Sequence, residues 1–439
     1  MRKTEMKYML GLKMRAFPNH KQEAIIKKNT DTARFIYNQL LANSYTDSAI
    51  HRNKLDKHYP IPEEYWRYNS KGNVIAKSKK RSTGLDRITA DKYPWLADKD
   101  LDSLMPYNTQ INYQAAWSLF RKVNHAGHPK FKRKSAPKQS YSTNCQYVGL
   151  KDNKPSLFNG TVRFIDKKHL KLPKLGNLKV VLSRSLPEGE EIRITKATIS
   201  HLSSGEYFIS LLIKSNDALA ETYSKTSSEV GYDLNVKNFL MDTTGHEEPN
   251  PKYYQKIKNK LAREQRKLSR RARRAKKEKR KLWQSKNYQK QKIKVAKLHR
   301  RIFNQRHSFL DQLSTAYIKN HDLVVGENLK SKNLLKDHAL AMSISDVGWR
   351  TFIGMLQYKA PLHGKTFVLV NPAYTTQTCY DCKFVMGTNG TKKLTLDQRE
   401  WDCPNCGKHH VRDYNAAKNI LAKGHQSLKV ANNEYVFCR

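Results

Sequence analysis

Apolar and polar residues alternate loosely over residues 6–14, a period of two that predicts one strand. After a break at Phe17-Pro18-Asn19 the period lengthens. Ala24, Ile25, Ile26, Ala33, Ile36, Tyr37, Leu40 and Leu41 recur at helical spacing. Residues 45–105 are polar, rich in Lys, Asp, Tyr and Pro, and hold no clear period. A second helix is expected over about Asn108–Val123, with Ile111, Ala115, Ala116, Leu119 and Phe120 on one face. The turn His125-Ala126-Gly127-His128-Pro129 ends it. From about Leu157 to Lys214, short apolar runs split by Gly, Pro, Ser and Asp predict a small antiparallel sheet or barrel. If residues 6–14 join that sheet, the helical segment is inserted within it.

Further on, Leu261, Leu268, Leu298, Ile302, Phe309 and Leu313 lie at or near helical spacing and predict a hairpin of helices hinged near Gln284-Ser285. Three acidic stretches flank or follow it. Asp233 comes after Glu229-Val230 in what reads as the first strand of an α/β unit, continued as a hairpin through Val236–Asp242 and Gly245. Glu327 closes the run Leu323-Val324-Val325, an acid at the carboxyl end of a strand, where α/β sheets place their sites. Asp413 stands near the N-cap of a helix opening at Asn415-Ala416-Ala417-Lys418. Alone, each acid is ordinary: Asp413 a cap, Glu327 a strand-end charge. Their order, with basic helices between, points to one divalent-metal site and a metal-dependent nuclease. Hydrolysis of a phosphodiester by two metals needs ions ~3.5–4 Å apart, and Mg²⁺ prefers a few carboxylates while keeping several waters.

Charge strengthens that picture. The 439 residues, enough for two or three domains, carry 83 Lys+Arg against 38 Asp+Glu, a formal net charge of +45. A compact state with that excess repels itself, so a polyanionic partner is implied, with affinity that falls steeply as salt rises. Lys252–Arg306 is the most basic stretch, about two dozen Lys and Arg against only Glu264 and Glu278. Like charges four apart destabilise a helix, so a nucleic acid along its outer face is favoured over a merely solvated one. Candidate contacts are Arg263, Arg266, Lys267, Arg270, Arg271, Arg273 and Arg274, with Lys130, Lys132 and Arg133 of an earlier basic run. The N-terminus leads into no apolar run of signal-peptide length and no stretch would span a bilayer, so a soluble intracellular protein is expected.

Four of the six cysteines form two pairs, Cys379-x-x-Cys382 and Cys403-x-x-Cys406, with Pro404 and Gly407 shaping the second turn. Four thiolates at this spacing predict a closed tetrahedral structural Zn²⁺ site without catalytic duty, an iron centre being the alternative that spacing leaves open. Cys145 and Cys438 read as structural or incidental. His409 and His410 read as exposed or structural.

Taken together, these residues resemble the transposon-encoded TnpB proteins, RNA-guided DNA endonucleases related to the type V CRISPR nucleases. The resemblance rests on Gly231-Tyr232-Asp233-Leu234 with Lys237-Asn238-Phe239, Leu268-Ser269-Arg270-Arg271 and Glu327-Asn328-Leu329. It continues through Ser345-Asp346-Val347-Gly348-Trp349, Leu356-Gln357-Tyr358-Lys359-Ala360, the two cysteine pairs, and Arg412-Asp413-Tyr414-Asn415-Ala416-Ala417. Gly127-His128-Pro129-Lys130-Phe131-Lys132 adds a looser match in the N-terminal half. The sequence departs from the family pattern at Asn235 and Lys383, where Gly is usual, and at Val411, often Asp.

The resemblance implies an α/β multidomain fold: a RuvC-like, RNase H-type nuclease domain with a zinc-ribbon insertion, and an N-terminal wedge β-barrel interrupted by a helical recognition lobe. The expected divisions are 1–15 with 156–228 for the barrel, 16–155 for the lobe, and 229–372 for the nuclease domain, including the hairpin 252–320. Residues 373–410 would form the zinc insertion and 411–439 the end of the nuclease domain and its tail. It also implies Asp233, Glu327 and Asp413 as a triad holding Mg²⁺ or Mn²⁺, Arg412 near the scissile phosphate, a guide RNA and double-stranded target DNA as partners, and one protein monomer per RNA. Such a protein would be prokaryotic and cytoplasmic, joining the nucleoid when on DNA. Base pairing would then choose the sequence, and the protein would hold the heteroduplex. A guided repressor without cleavage, or a transposase accessory, is the alternative; the intact triad weighs against the repressor.

Overall fold

The computed structural model describes residues 6–52, 85, 88–124, 126–147, 154–189, 192–329, 348–395 and 397–436. Most of the polar stretch 45–105, the Ser345-Asp346-Val347 part of one motif, His125 and Cys438 lie outside the described residues. The chain divides into two units, Met1–Leu219 and Ala220–Arg439.

In the first unit, β1 (Tyr8–Phe17) leads into α1 (His20–Arg52). Asn19 and Gln22 exchange side-chain to backbone hydrogen bonds of 3.0 and 2.9 Å, a capping box that starts the helix where the sequence pattern broke. Helix α2 (Met105–Lys122) follows, with proline in its first turn. Six more strands complete the unit: β2 (Lys138–Asn144), β3 (Arg163–Asp166), β4 (His169–Leu172), β5 (Gly176–Leu182), β6 (Ile192–Leu202) and β7 (Tyr207–Ser215). They form one antiparallel sheet in the order β2-β6-β7-β1-β5-β4-β3, so the N-terminal strand does join it, at the centre. Alternate residues Leu10, Leu12, Met14 and Ala16 of β1 enter a single core with Ile26, Ile36 and Leu40 of α1. A bulge between Ile194 and Lys196 resets the alternation of β6, which is why Ile194 and Ala197 both face inward.

Two expectations change here. Strand β2 falls within the span 16–155 assigned to a helical lobe, yet it is an edge strand of the sheet. The apolar face expected to bury α2 is turned outward: Ile111, Leu119 and Phe120 are exposed. The fully buried residues of α2, Met105, Asn108, Thr109 and Gln110, all lie in its first turns, and Tyr113 packs partly buried against the core beyond them. The Asn108 amide and Thr109 hydroxyl donate to Leu104 and Met105 carbonyls, which lets these polar residues be buried.

The second unit holds β8 (Glu229–Leu234), β9 (Leu240–Asp242), β10 (Glu247–Glu248), β11 (Leu323–Glu327) and β12 (Thr366–Val370) in one mixed sheet of order β10-β9-β8-β11-β12. β8, β9 and β10 are antiparallel to their neighbours in turn, whereas β8, β11 and β12 run parallel. Helices α3 (Tyr253–Lys277) and α4 (Lys286–Asn320) form the hairpin, turning at the residues expected. α5 (Trp349–Leu362) precedes β12, and α6 (Arg412–Val436) ends the described chain. Between β12 and α6 lies the cysteine-bearing segment with its small hairpin, β13 (Glu400–Asp402) and β14 (His409–Val411).

Successive residues of a strand face opposite sides, and here the sides are distinct. Val230, Tyr232 and Val324 meet α4 and α5 in a core with Phe239, Leu310, Tyr317 and Phe352. Lys359 of α5, part of a family motif, is buried there and its ammonium donates to the Asp311 carbonyl and carboxylate, Ser314 and Thr315 of α4. That role is structural. On the other face Val325 packs with Ile420 of α6. A Cβ on Gly231 would stand 2.5 Å from the Ala417 carbonyl oxygen and 2.8 Å from Leu421, and one on Gly424 would stand 2.5 Å from Val325. Glycine is thus what lets α6 lie flat on β8 and β11. Gly231→Ala is expected to lower the melting temperature by several degrees, since overpacking costs about 1–3 kcal/mol and each kcal/mol is roughly 2–4 °C at this size. Differential scanning calorimetry checks it.

Candidate active site and four-cysteine site

The strand alternation decides where the acids point. The parallel pairing of β8 with β11 matches Val230 to Val324 and Gly231 to Val325; two residues further along each strand, Asp233 and Glu327 stand level with one another. Both therefore share the face of Gly231 and Val325, the face covered by α6. Asp413 sits in the first turn of that helix. Backbone pattern alone brings a carboxylate from each of three elements to one end of the sheet.

Asp233 and Glu327 are almost fully buried, and neither is ion-paired among the described residues. Burial, then the charges of Glu327 and Asp413, push the Asp233 carboxyl well above the usual range, against a smaller pull from Arg412 and the Leu234 amide. Burial likewise raises Glu327, opposed by a Thr375 hydrogen bond and the charge of Lys423. Unlike the four thiols described below, the three carboxylates are not all within 4.8 Å of one another. Neighbouring buried carboxylates are costly, and the repulsion on Asp233 is what a divalent cation would relieve, so the donor set fits Mg²⁺ or Mn²⁺. Asp413 is oriented from two sides: Asn235 Nδ2 donates to its Oδ2 at 3.1 Å and Arg399 Nη1 at 3.3 Å. Asn235 Oδ1 meanwhile accepts from the Asn238 amide at 2.7 Å, so this departure from the family pattern serves the turn after β8 and the third acid together.

Four thiols lie beside this site. Cys379 to Cys406 is 3.8 Å and Cys382 to Cys403 is 3.5 Å, and all four Sγ atoms lie within 4.8 Å of one another. A tetrahedron with metal–sulfur bonds of ~2.3 Å has edges of ~3.8 Å, so the cluster fits zinc without rearrangement. Burial pushes the Cys379 thiol up to about 12, so a thiolate there calls for a cation next to it. Of the two readings offered for the histidines, His410 takes the structural one: it is buried against Trp401, with Nε2 3.1 Å from Cys379 Sγ. Asp381, Cys379 and His410 form a second close group around that sulfur. Lys383 occupies a left-handed backbone position, φ 64°, which explains why glycine suits it. Val411, the third departure, is exposed.

The cysteine segment is fastened to α6 by residues that no motif singled out for a role. Asn415 accepts from the Tyr380 amide at 2.9 Å and donates to the Thr378 carbonyl at 2.8 Å. Asn419 donates to the carbonyls of Thr375 at 3.0 Å and Thr378 at 2.7 Å. Arg412, expected beside a scissile phosphate, is instead buried, with Nη1 donating to the Thr395 carbonyl at 2.9 Å. The reason is position: it opens α6 under the segment, where its charge acts on Asp233.

The hairpin keeps its expected character. Arg263, Arg266, Arg270, Arg271, Arg273 and Arg274 are exposed along α3, and Lys267 is half-buried. Glu264 is the exception, buried between the helices: Gln291 of α4 donates to its carboxylate at 2.7 Å and to its carbonyl at 3.0 Å, while Lys267 and Lys294 approach within 3.3 and 3.4 Å. The Gln291 bond and then Lys267 hold its carboxyl down to about 2. A depressed carboxyl stabilises the fold above its unfolded value of 4.5, and that contribution is lost as pH falls toward about 2. Helicity followed by circular dichroism across that window should decline, and Glu264→Gln should flatten the decline. In the first unit, Lys130, Lys132 and Arg133 line a cleft of about 920 Å³ together with Arg34 and Lys138.

Known proteins resemble the chain segment by segment. Residues 210–337 match a family described as "Probable transposase" (OrfB_IS605), 349–420 match "Cas12f1-like, TNB domain", and 6–46 match "Helix-turn-helix domain" (HTH_OrfB_IS605). The last name does not describe the local structure, which is strand β1 and helix α1. A "Putative RNA-guided DNA endonuclease" of Streptomyces pristinaespiralis is 37% identical over 248 residues, covering 56% of this chain and 56% of that protein, so the match spans about half its length. "Putative RNA-guided DNA endonuclease InsQ" of Escherichia coli K12 is 28% identical over 440 residues, covering 96% and 94% of the two chains. Among solved structures, a Cas12f1–sgRNA–target DNA complex aligns over 94% of this chain and 98% of that one, at a TM-score of 0.41 and 13% identity. The fold and the paired sites define a mixed α/β protein with a zinc-ribbon-like domain. Segment by segment, the chain is similar to OrfB/IS605-type proteins and to relatives named as RNA-guided DNA endonucleases.

Proposed function

We propose that the chain is an RNA-guided DNA endonuclease, cutting phosphodiester bonds with Mg²⁺ or Mn²⁺ held by Asp233, Glu327 and Asp413. The observation that carries it is the placement of two buried carboxylates on adjacent parallel strands beneath a helix whose first turn supplies the third. The mixed sheet, with an antiparallel hairpin on one side of β8 and parallel strands on the other, supports an RNase H-type, RuvC-like reading of this unit. The seven-stranded sheet of the first unit would be the wedge domain. Bound there, the cation would activate a water and shield the leaving oxygen. Asn235 and Arg399 orient Asp413, and Thr375 and Lys423 act on Glu327. The four cysteines would hold zinc as a closed structural site.

Guide RNA and target DNA are the partners that the relatives' names and the charge of +45 support. The exposed arginines of α3 would contact phosphates, giving binding that weakens with salt but carries no sequence information. To test the proposal, the full chain is purified after coexpression with the flanking sequence of its gene and the copurified RNA is sequenced. Duplex DNA matching that RNA beside an enriched short motif should be cut with Mg²⁺ and spared with EDTA. Tight RNA-dependent binding without cutting would make it a guided repressor instead.

A further inference from the structure

We infer that Thr375 is a positioning residue for Glu327, and that the four-cysteine segment serves the acid site by holding Thr375 in place. The inference rests on the metal-binding reading of the three acids. Thr375 is buried, 2% exposed, and its hydroxyl donates to Glu327 Oε1. The same hydroxyl lies 3.1 Å from the Pro372 carbonyl, a second acceptor placed so that the rotamer is fixed by its surroundings.

The backbone of Thr375 is fixed as well. Asn419 of α6 donates to its carbonyl, and from the same amide to that of Thr378, one residue before the first cysteine of the cluster. Asn415, one turn earlier on α6, clamps Thr378 and Tyr380 on either side of that cysteine. Lys423, one turn later, donates to the Asn371 and Ala373 carbonyls. A single face of α6 thus grips the chain from Asn371 to Tyr380, while its first residues bring Asp413 to the site. The thiol cluster closes the far end of the gripped segment. One oxygen of Glu327 is thereby committed to Thr375, leaving the other to face a cation. Hydrogen bonds of this kind to a ligating carboxylate set its direction, and losing one typically weakens metal binding 10–100-fold.

Manganese binding to the full chain, measured by calorimetry, tests this directly, with zinc content measured on the same samples. Thr375→Val keeps the size of the side chain and removes the donor. It is expected to retain wild-type zinc and to bind Mn²⁺ roughly tenfold or more weakly. Thr375→Ser, which keeps the hydroxyl, should bind like wild type. Asp233→Ala separates the two levels of the argument. If it binds Mn²⁺ like wild type, the acids are not a metal site and the reading beneath the inference fails. If it loses Mn²⁺ while Thr375→Val binds normally, the site stands and the positioning role is overturned. A Thr375→Val protein that loses zinc as well would also overturn it, because the hydroxyl would then serve the cysteine segment itself.

Discussion

Asp233→Ala is expected to abolish DNA cleavage while leaving RNA binding and RNA-dependent DNA binding at wild-type levels. The metal's contribution to phosphoryl transfer is several kcal/mol, and each 1.36 kcal/mol is a factor of ten in rate, so a fall of about 10³-fold or more follows from losing a ligand shared by the site. The fold should not suffer. Asp233 is buried, carries no ion pair among the described residues, and has its carboxyl pushed up by burial and by Glu327 and Asp413. Removing it takes away repulsion larger than its attractions to Arg412 and the Leu234 amide, so the variant should melt at or above the wild-type temperature. Single-turnover cleavage, a filter-binding titration and a thermal melt on one preparation separate these effects. A variant that cuts at the wild-type rate would remove Asp233 from the chemistry.

The second large effect is expected at Cys403. This thiol is buried among Cys379, Leu394 and Trp401, a cluster too small to be a self-sufficient core. A structural zinc contributes on the order of 10 kcal/mol to small domains that depend on it. Cys403→Ser should therefore release the metal and unfold the cysteine segment locally, with the hydrogen-exchange protection of residues 373–410 falling to that of an open chain. The core around Tyr232, Phe239 and Phe352 shares no residue with this cluster, so the sheet should keep its protection. Cleavage should fall too, since Thr375 reaches Glu327 from the gripped segment.

Much of this is legible in the sequence itself. Val324, Val325 and their neighbours read as a buried strand because both of its faces are covered, and an acid closing such a run stands at a strand end. Asp413 was legible from the helix-forming residues that follow it. The cysteine pairs carry their geometry in their spacing. What stayed hidden was whatever depends on which surface meets which. The apolar stripe of α2 has helical period, but period cannot say that Ile111, Leu119 and Phe120 face outward while the first turns are buried. Strand β2 is an edge, Lys-Gln-Ser-Tyr-Ser-Thr-Asn, too polar to announce itself. Arg412 resembled a phosphate ligand in sequence and is buried in the fold. Thr375, Asn415 and Asn419 are ordinary polar residues whose roles exist only once α6 lies on the cysteine segment. Asn235 looked like a departure, and only its bond to Asp413 gives it a purpose.

The central claim is that Asp233, Glu327 and Asp413 form one site. Manganese titration of the full chain with its RNA, for each single alanine variant and for the double variants, tests it most directly. Ligands of one site act as a unit, so each single variant should lose the tight Mn²⁺ and a double should lose nothing more. If Asp413→Ala binds Mn²⁺ as the wild type does, or if the losses simply add, the three carboxylates do not share a metal and the account is wrong.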